Sequence, residues 1–439
     1  MTNATPKPLQ VGLIGFGTVG RGTWDVLRRN EEEITRRAGR PIRITRIATR
    51  TLDRARGIDG VNLTDDPNTV ARHPDIDIVV ELVGGVEPAR TLILDAIAHD
   101  KHVVTANKAL LAQHGNEIFA AAHARGVMVA FEAAVAGGVP IIKALREGLT
   151  ANRIEWIAGI INGTSNFILS EMRATGASFA SALKDAQARG YAEADPTFDV
   201  EGIDAAHKLA IMSAIAFGVP MQFEKAYAEG ISKLQREDIR YAEELGYRIK
   251  LLGITRRARG GIELRVHPTL IPSKVLIANV EGAMNAVLVK GDAVGGTLYY
   301  GAGAGAEPTA SAVIADLVDV TRMHTADPEH RVPHLAFQPD QLTDLPFLPI
   351  GEVETSYYLR MRVDDKPGVL ADITRILADR EISIDAMIQK EPSEGESQTD
   401  IILLTHRSIE KRLVDAIDRI EALPTVRGKV VRIRLEDLS

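Results

Sequence analysis

An aspartate and a lysine four residues apart, Asp204 and Lys208, open an apolar stretch that runs to Phe217. At that spacing both side chains lie on one face of a helix. Two kinds of chemistry fit the pair. On a surface it is an ordinary ion pair worth under ~1 kcal/mol. In a cleft, the carboxylate orients an amine that exchanges a proton with a substrate oxygen. Just upstream runs Gly190-Tyr191-Ala192-Glu193-Ala194-Asp195-Pro196. Its Asp-Pro step breaks a helix and forms a turn.

A second constellation lies near the N-terminus. Gly15-Phe16-Gly17-Thr18-Val19-Gly20 follows an apolar run and opens a helical stretch, the setting of a dinucleotide fingerprint. Gly15 permits the tight turn, Gly17 lets the backbone approach a pyrophosphate, and Gly20 allows close packing of helix on strand. The helix start offers N–H groups and partial positive charge to that anion. The next strand ends in Thr49-Arg50, with Arg54 and Arg56 following and no acidic residue before Asp53. An acid there would hold the ribose 2′-hydroxyl of NAD, whereas a guanidinium suits the 2′-phosphate. The spacing therefore points to NADP, with NAD as the alternative.

These residues need a scaffold. Apolar runs at Leu9–Ile14, Ile42–Ala48, Ile76–Val83, His102–Thr105 and Val127–Phe131 alternate with helical stretches, the first from Thr18 to about Arg37. That alternation predicts an α/β fold with a Rossmann-type parallel sheet over residues 1–140. Residues 141–305 read as a mixed α/β domain, to which the resemblance described below assigns catalysis and dimerisation. Its helices fall at Phe179–Arg189 and Asp204–Phe217, and its strands at Arg153–Ile161, Gly260–His267 and Ala286–Lys290. An apolar helix, Thr309–Val320 within 306–325, returns to cover the first domain. Prolines 328, 333, 339, 346 and 349 mark 326–355 as a linker crossed by few packed contacts. Residues 356–439 then alternate as βαββαβ, a ferredoxin-like module. Its second helix is expected to be capped by Ser408 and to bury Ile409, Leu413, Ile417 and Ile420.

The chain has 439 residues, enough for about two to three domains. Its 45% hydrophobic and 25% charged residues are those of an ordinary globular protein. A net charge of −7 argues against a dedicated nucleic-acid binder. With no cysteine, disulfides, thiolate metal sites and a cysteine nucleophile are excluded. Val127–Leu145, the most apolar long stretch, contains Glu132 and Lys143 and falls short of a membrane span. Met1–Pro8 lacks a charged-then-apolar leader, so the expectation is a cytoplasmic protein with no membrane partner.

Further runs carry a resemblance: Asp77-Ile-Val-Val-Glu-Leu-Val-Gly-Gly85, Thr105-Ala-Asn-Lys108 and Glu132-Ala-Ala-Val-Ala-Gly-Gly-Val-Pro140. Gly159-Ile-Ile-Asn-Gly-Thr-Ser-Asn166 and Gly301-Ala-Gly-Ala-Gly-Ala306 continue the series. With the glycine turn and the Gly190–Lys208 region, residues 9–320 resemble homoserine dehydrogenases in order and spacing. The resemblance implies hydride transfer between NAD(P)H and L-aspartate 4-semialdehyde, giving L-homoserine. It implies that Lys208 is the proton donor, that Asp204 lies beside the reacting group, and that Glu193 binds substrate. It makes Lys108 a contact of both cofactor and substrate, with Gly190 and Gly305 lining the nicotinamide. It also implies a structural sodium ion on backbone carbonyls of Glu132, Val135, Gly137 and Val139. No role is expected for the side chains of Asn162-Gly163-Thr164.

Asp364-Asp-Lys-Pro-Gly-Val-Leu370 and the βαββαβ order are similar to an ACT domain. Such domains pair side by side and bind an amino acid at the seam. The resemblance implies a homodimer or homotetramer, and threonine as feedback effector. Two rival readings are an NADP-linked oxidoreductase acting on another small aldehyde and a non-catalytic sensor of NADP and an amino acid.

Overall fold

The computed structural model describes residues 7–55, 57–392 and 396–438. Arg56 and the side chain of Arg54, both candidates for the 2′-phosphate, lie outside the described residues, as does most of Met1–Pro8. The chain forms two compact units. One comprises Met1–Gly163, Asp204–Ala226 and Met284–Leu345; the other comprises Thr164–Ile203, Tyr227–Ala283 and Pro346–Ser439.

The first unit is built on six strands: β1 (Leu9–Ile14), β2 (Ile42–Ala48), β3 (Asn62–Thr64), β4 (Ile78–Glu81), β5 (His102–Thr105) and β6 (Val129–Ala130). They lie in the order β3-β2-β1-β4-β5-β6, with every neighbouring pair parallel. This is the doubly wound order whose crevice opens between β1 and β4. Strands buried on both faces read as apolar runs, which is why β1 and β5 are legible in sequence, while β2 is legible from its buried Ile42, Ile44 and Ile47 between more exposed polar residues. β3 is not legible, because its three residues are largely exposed and carry no apolar run.

The helix expected from Thr18 to Arg37 is two helices, Thr18–Arg29 and Glu31–Ala38, parted at Asn30. The charges explain the break. Arg28 and Arg29 complement the C-terminal dipole of the first, and Glu31, Glu32 and Glu33 the N-terminal dipole of the second. Helix Ala306–Met323 does return to this domain. Its Ala310, Val313 and Leu317 are buried in one core with Leu13, Val26 and Ile44. A side chain at Gly22 would collide with the carbonyl of Ala306, so only glycine admits this approach. Three antiparallel strands complete the unit, with Met284–Gly291 between Ile154–Ile160 and Gly295–Ala302.

The second unit holds a long antiparallel hairpin, Tyr247–Ala258 with Gly261–Pro272. It also holds the βαββαβ module. Its strands are Glu354–Asp364, Ile384–Gln389, Gln398–Thr405 and Val426–Leu435, and its helices are Val369–Ala378 and Glu410–Glu421. Tyr357, Leu359, Ile373, Leu377, Leu413 and Ile420 form its core. Ser408 does not cap the second helix. It pairs with Thr355 as a short strand, and Ile409 occupies the cap position instead.

The proline-rich segment is packed rather than loose. Ile262 N donates to Pro346 O and Leu348 N to Ile262 O, both at 2.8 Å. Within the first unit, Thr343 N donates to Gly218 O at 2.8 Å, and Val129 N to His334 Nε2 at 3.1 Å. Proline removes only its own amide, so its neighbours remain free to bond. Nor is the module detachable. Its last strand runs parallel to Gly261–Pro272, pairing Arg434 with Thr269 and Leu435 with Leu270. Buried Arg265 donates to Glu436 at 2.5 Å and to Glu263 at 2.9 Å. A cut near Ile350 would strand that guanidinium, so the expectation of few packed contacts fails.

Candidate active site

The glycine turn lies at the end of β1, beside the β1–β4 crevice. Gly15 has φ +100 and its amide donates to Ala48 O at 2.9 Å. A side chain there would strike the Leu82 backbone, and one at Gly20 would strike Gly15 O. Above Gly17 the space is open for at least 4 Å. Phe16 is buried, Thr18 is exposed and Val19 packs on the core. The first helical turn carries no acidic residue, so its partial positive charge meets no carboxylate of its own. A cleft of about 340 Å³ opens here, lined by Gly15, Phe16, Gly17, Thr49, Arg50 and Thr51. Asp65, in the turn after β3, lines the same cleft. Sequence reading missed it because β3 itself was not legible.

Two of the motifs interlock through Glu81, a fully buried carboxylate at the end of β4. Its Oε1 accepts the amide of Val83 at 2.7 Å and that of Gly84 at 3.2 Å. Its Oε2 accepts the Thr105 hydroxyl at 2.7 Å, and Thr105 Oγ1 accepts Asn107 N at 3.0 Å. Asn107 caps the next helix, its side chain accepting from Leu110 N and donating to Gly85 O at 2.6 Å. The network fixes the start of helix Lys108–Arg125 and places Lys108 on its first turn.

Lys108 meets the pair read from sequence. Its Nζ lies 3.0 Å from Asp204 Oδ1, while Lys208 Nζ donates to Asp204 Oδ2 at 2.7 Å. Lys208 also donates to Ile161 O at 2.7 Å, and Asn162 Nδ2 donates to Asp204 Oδ2 at 2.9 Å. Asp204 and Lys208 are buried and Lys108 is one-third exposed, so the surface-pair reading is ruled out. Burial alone would push the Asp204 carboxyl up. The ammonium groups of Lys208 and Lys108 overcome that and hold it well below the usual carboxylate range. Burial pushes His207, on the same helix, down to about 4, so its imidazole is neutral at pH 7. One carboxylate between two ammonium groups leaves a net positive charge, suited to an oxygen that gains negative charge. Asn162, to which sequence reading gave no role, is thus part of the cluster. Its Asn-Gly setting spelled only a turn.

Gly305, with φ +125, caps helix Ala306–Met323 in this same unit. Gly190 and Glu193 belong to the second unit. Gly190, at φ +76, follows helix Phe179–Ala188, and its amide donates to Gln187 O at 3.1 Å. Glu193 is exposed, and its carbonyl accepts Gln187 Nε2 at 3.0 Å. Thr164 Oγ1 donates to Tyr191 O at 2.5 Å in the same loop.

At the cation run, the Glu132 carboxylate turns onto a helix start, accepting the amides of Ile142 at 2.9 Å and Lys143 at 2.7 Å. Burial and the nearby Asp316 carboxylate push it up to about 7. The carbonyl of Glu132 accepts Val135 N, and that of Val139 accepts Ile141 N. Each keeps a second lone pair, and Ala136 and Gly137 take left-handed conformations that bend the run. Among the described residues, no group of three or more acidic or histidine side chains could hold a metal ion. Nor is any helix among them long and apolar enough to cross a membrane.

Comparison with known proteins agrees with this geometry. The family model for homoserine dehydrogenase matches residues 140–318, and that for its NAD-binding domain matches residues 15–132. An ACT domain model matches residues 357–425. A homoserine dehydrogenase of Pseudomonas aeruginosa is 63% identical over 433 residues, covering 99% of this chain and all of the relative. One of Neisseria gonorrhoeae is 58% identical, covering 98% of this chain and 99% of the relative. The crystal structure of a homoserine dehydrogenase from Thiobacillus denitrificans superimposes with TM-score 0.95 at 74% identity, covering 99% of each chain. Nucleotide turn, lysine–carboxylate cluster and full-length similarity agree: the chain belongs to the homoserine dehydrogenase family of oxidoreductases, with a nicotinamide-nucleotide-binding domain and a C-terminal ACT domain.

Proposed function

We propose that the enzyme interconverts L-aspartate 4-semialdehyde and L-homoserine with NADPH, in the biosynthesis of threonine, methionine and isoleucine. The observation that carries this reading is Asp204 held between Lys208 and Lys108 in a buried cluster. When bound, the nicotinamide supplies the hydride. Lys208 donates a proton at the substrate oxygen as charge builds there, positioned by Asp204 and the carbonyl of Ile161. Lys108 adds positive charge beside cofactor and substrate. Glu193 takes the substrate's ammonium group, and Gly190 and Gly305 line the nicotinamide.

Gly15 to Gly20 receive the pyrophosphate, and Arg50 on the rim of the cleft receives the 2′-phosphate, which supports NADP over NAD. Carbonyls of Glu132, Val135, Gly137 and Val139 hold a structural sodium ion. We assign 1–140 with 306–325 to the nucleotide domain, 141–305 to catalysis, and 356–439 to regulation by threonine in a cytoplasmic homodimer or homotetramer. The decisive experiment is oxidation of NADPH in the presence of aspartate semialdehyde, repeated with NADH, with threonine, and with sodium replaced. Turnover of another aldehyde, but not of the semialdehyde, would overturn the substrate.

A further inference from the structure

The chain from Thr164 to Ile203 lies wholly within the second unit. There the helix Phe179–Ala188 ends at a glycine, and that ending decides where the next residues go. Gly190 has φ +76; its amide donates to Gln187 O at 3.1 Å, and the amide of Tyr191 donates to Ala186 O at 2.8 Å. This pair of bonds around a left-handed glycine turns the chain at a helix C-terminus. The residues that follow pass the helix's last turn, where Gln187 stands half-buried.

The loop is pinned at intervals. Thr164 Oγ1 donates to Tyr191 O at 2.5 Å, Thr197 N to Asp195 Oδ1 at 3.1 Å, and Ser165 Oγ to Asp199 O at 3.0 Å. Between the first two pins a single side chain serves. Gln187 Nε2 donates to Glu193 O at 3.0 Å and to Ala194 O at 3.4 Å. Among the described residues, no backbone amide donates to either carbonyl. We propose that Gln187 is the positioning residue for Glu193, and that it thereby sets affinity for the substrate's ammonium group without touching substrate. This role rests on the reading above that Glu193 takes that group.

Glu193 is exposed, so its carboxylate is placed by its own backbone rather than by packing. With the carbonyl held, that backbone is ordered before substrate arrives. With the carbonyl free, it must be ordered at each binding event, at the usual entropic cost. The chemistry also selects glutamine. Two carbonyl oxygens only accept, so the group between them must donate twice, and a primary amide carries two N–H on one nitrogen. Asparagine is one methylene shorter. Glutamate has the same shape, but when ionised it only accepts and would repel both carbonyls. The ammonium group is not on the carbon that receives hydride, so its contact is the same before and during the reaction. Such uniform binding moves KM and leaves kcat alone.

The test is steady-state kinetics of the full chain, with aspartate semialdehyde and NADPH varied separately. Gln187→Met keeps the side chain's length and removes the donor; Gln187→Glu puts an acceptor in its place. Each is expected to raise KM for the semialdehyde by about tenfold, with kcat and KM for NADPH changed by less than about threefold. Glu193→Ala is expected to raise the same KM further. Adding Gln187→Met to Glu193→Ala should then change nothing more, because both residues act through one contact. If Gln187→Met raises KM equally with and without Glu193→Ala, or lowers kcat at unchanged KM, Gln187 does not act through Glu193 and the inference is overturned. It is overturned as well, with the role of Glu193 intact, if only Glu193→Ala raises KM. If Glu193→Ala itself leaves KM unchanged, the role given to Glu193 falls, and this one with it. Should Gln187→Glu fail to fold, Gln187→Met, which adds no charge, decides alone.

Discussion

Two buried charge clusters differ in a way that separates chemistry from architecture. In the first unit, the single carboxylate of Asp204 faces two ammonium groups, and one of them, on Lys108, remains one-third exposed. In the second, the guanidinium of Arg265 faces the carboxylates of Glu263 and Glu436, all about 95% buried or more. Arg256 adds a further contact to Glu436 at 2.9 Å. The first cluster carries excess positive charge and an opening, so a reacting oxygen can complete it. The second is balanced and sealed, and it joins the last strand of the ACT module to the dehydrogenase hairpin. A buried charge thus marks a reactive site when its partners leave it incomplete, and a joint when they close it.

The largest effect expected is on turnover. Lys208→Ala should lower kcat by about 10²–10⁴-fold while the unfolding temperature stays near wild type. Wild-type-like turnover would remove Lys208 from the mechanism and make the two clusters alike. The sealed cluster should answer in the opposite way. Glu436→Ala leaves Arg265 buried without its main partner and should cost about 3–5 kcal/mol of stability in a denaturant titration. If stability held and kcat fell instead, the joint would belong to the active site.

A smaller effect tests the candidate cofactor cleft, which the exposed Arg50 lines. Arg50→Ala should raise KM for NADPH by about tenfold and leave KM for NADH nearly unchanged. An equal change in both would assign Arg50 a structural part only.

The smallest effect concerns Glu132, whose carboxyl is pushed up to about 7 by burial and by Asp316. The folded state then holds a proton that the unfolded chain releases near pH 4.5. Its stabilising contribution is complete below that pH and is lost as pH rises toward 7. Glu436, held down to about 2 by Arg265 and Arg256 against its burial, has the reverse sign: it stabilises above the ordinary carboxylate range. Glu132→Gln should therefore flatten the fall in unfolding temperature between pH 5 and pH 7.5 by a few degrees. An unchanged slope would show that Glu132 is ionised throughout.

The parallel sheet was legible because each of its longer strands carries a cluster of buried apolar residues, such as Val11 and Leu13 in β1, Ile42, Ile44 and Ile47 in β2, and Val103 and Val104 in β5. The glycine fingerprint was legible because positive φ at Gly15 and contact at Gly20 admit no other residue. The module's order was legible from alternating and helical periodicities. Ser408 misled because a cap residue and the end of a short strand can share one composition, and only the partner, Thr355, decides between them.

What the sequence by itself determined was local: where most strands and helices form, which turn carries the dinucleotide fingerprint, and that Asp204 and Lys208 share a helical face. What only tertiary structure decided was long-range. Lys108 and Asp204 are 96 residues apart, and Asn162 reaches Asp204 across 42, so no periodicity could bring them together. The same holds for Arg265 and Glu436, 171 residues apart, whose ion pair ties a separate-looking module to the hairpin Tyr247–Pro272 within one packed unit. Side-chain spacing along a helix is set by backbone geometry, and a sequence states it directly. Burial and charge balance depend on which distant segments pack together, and they exist only once the chain has folded.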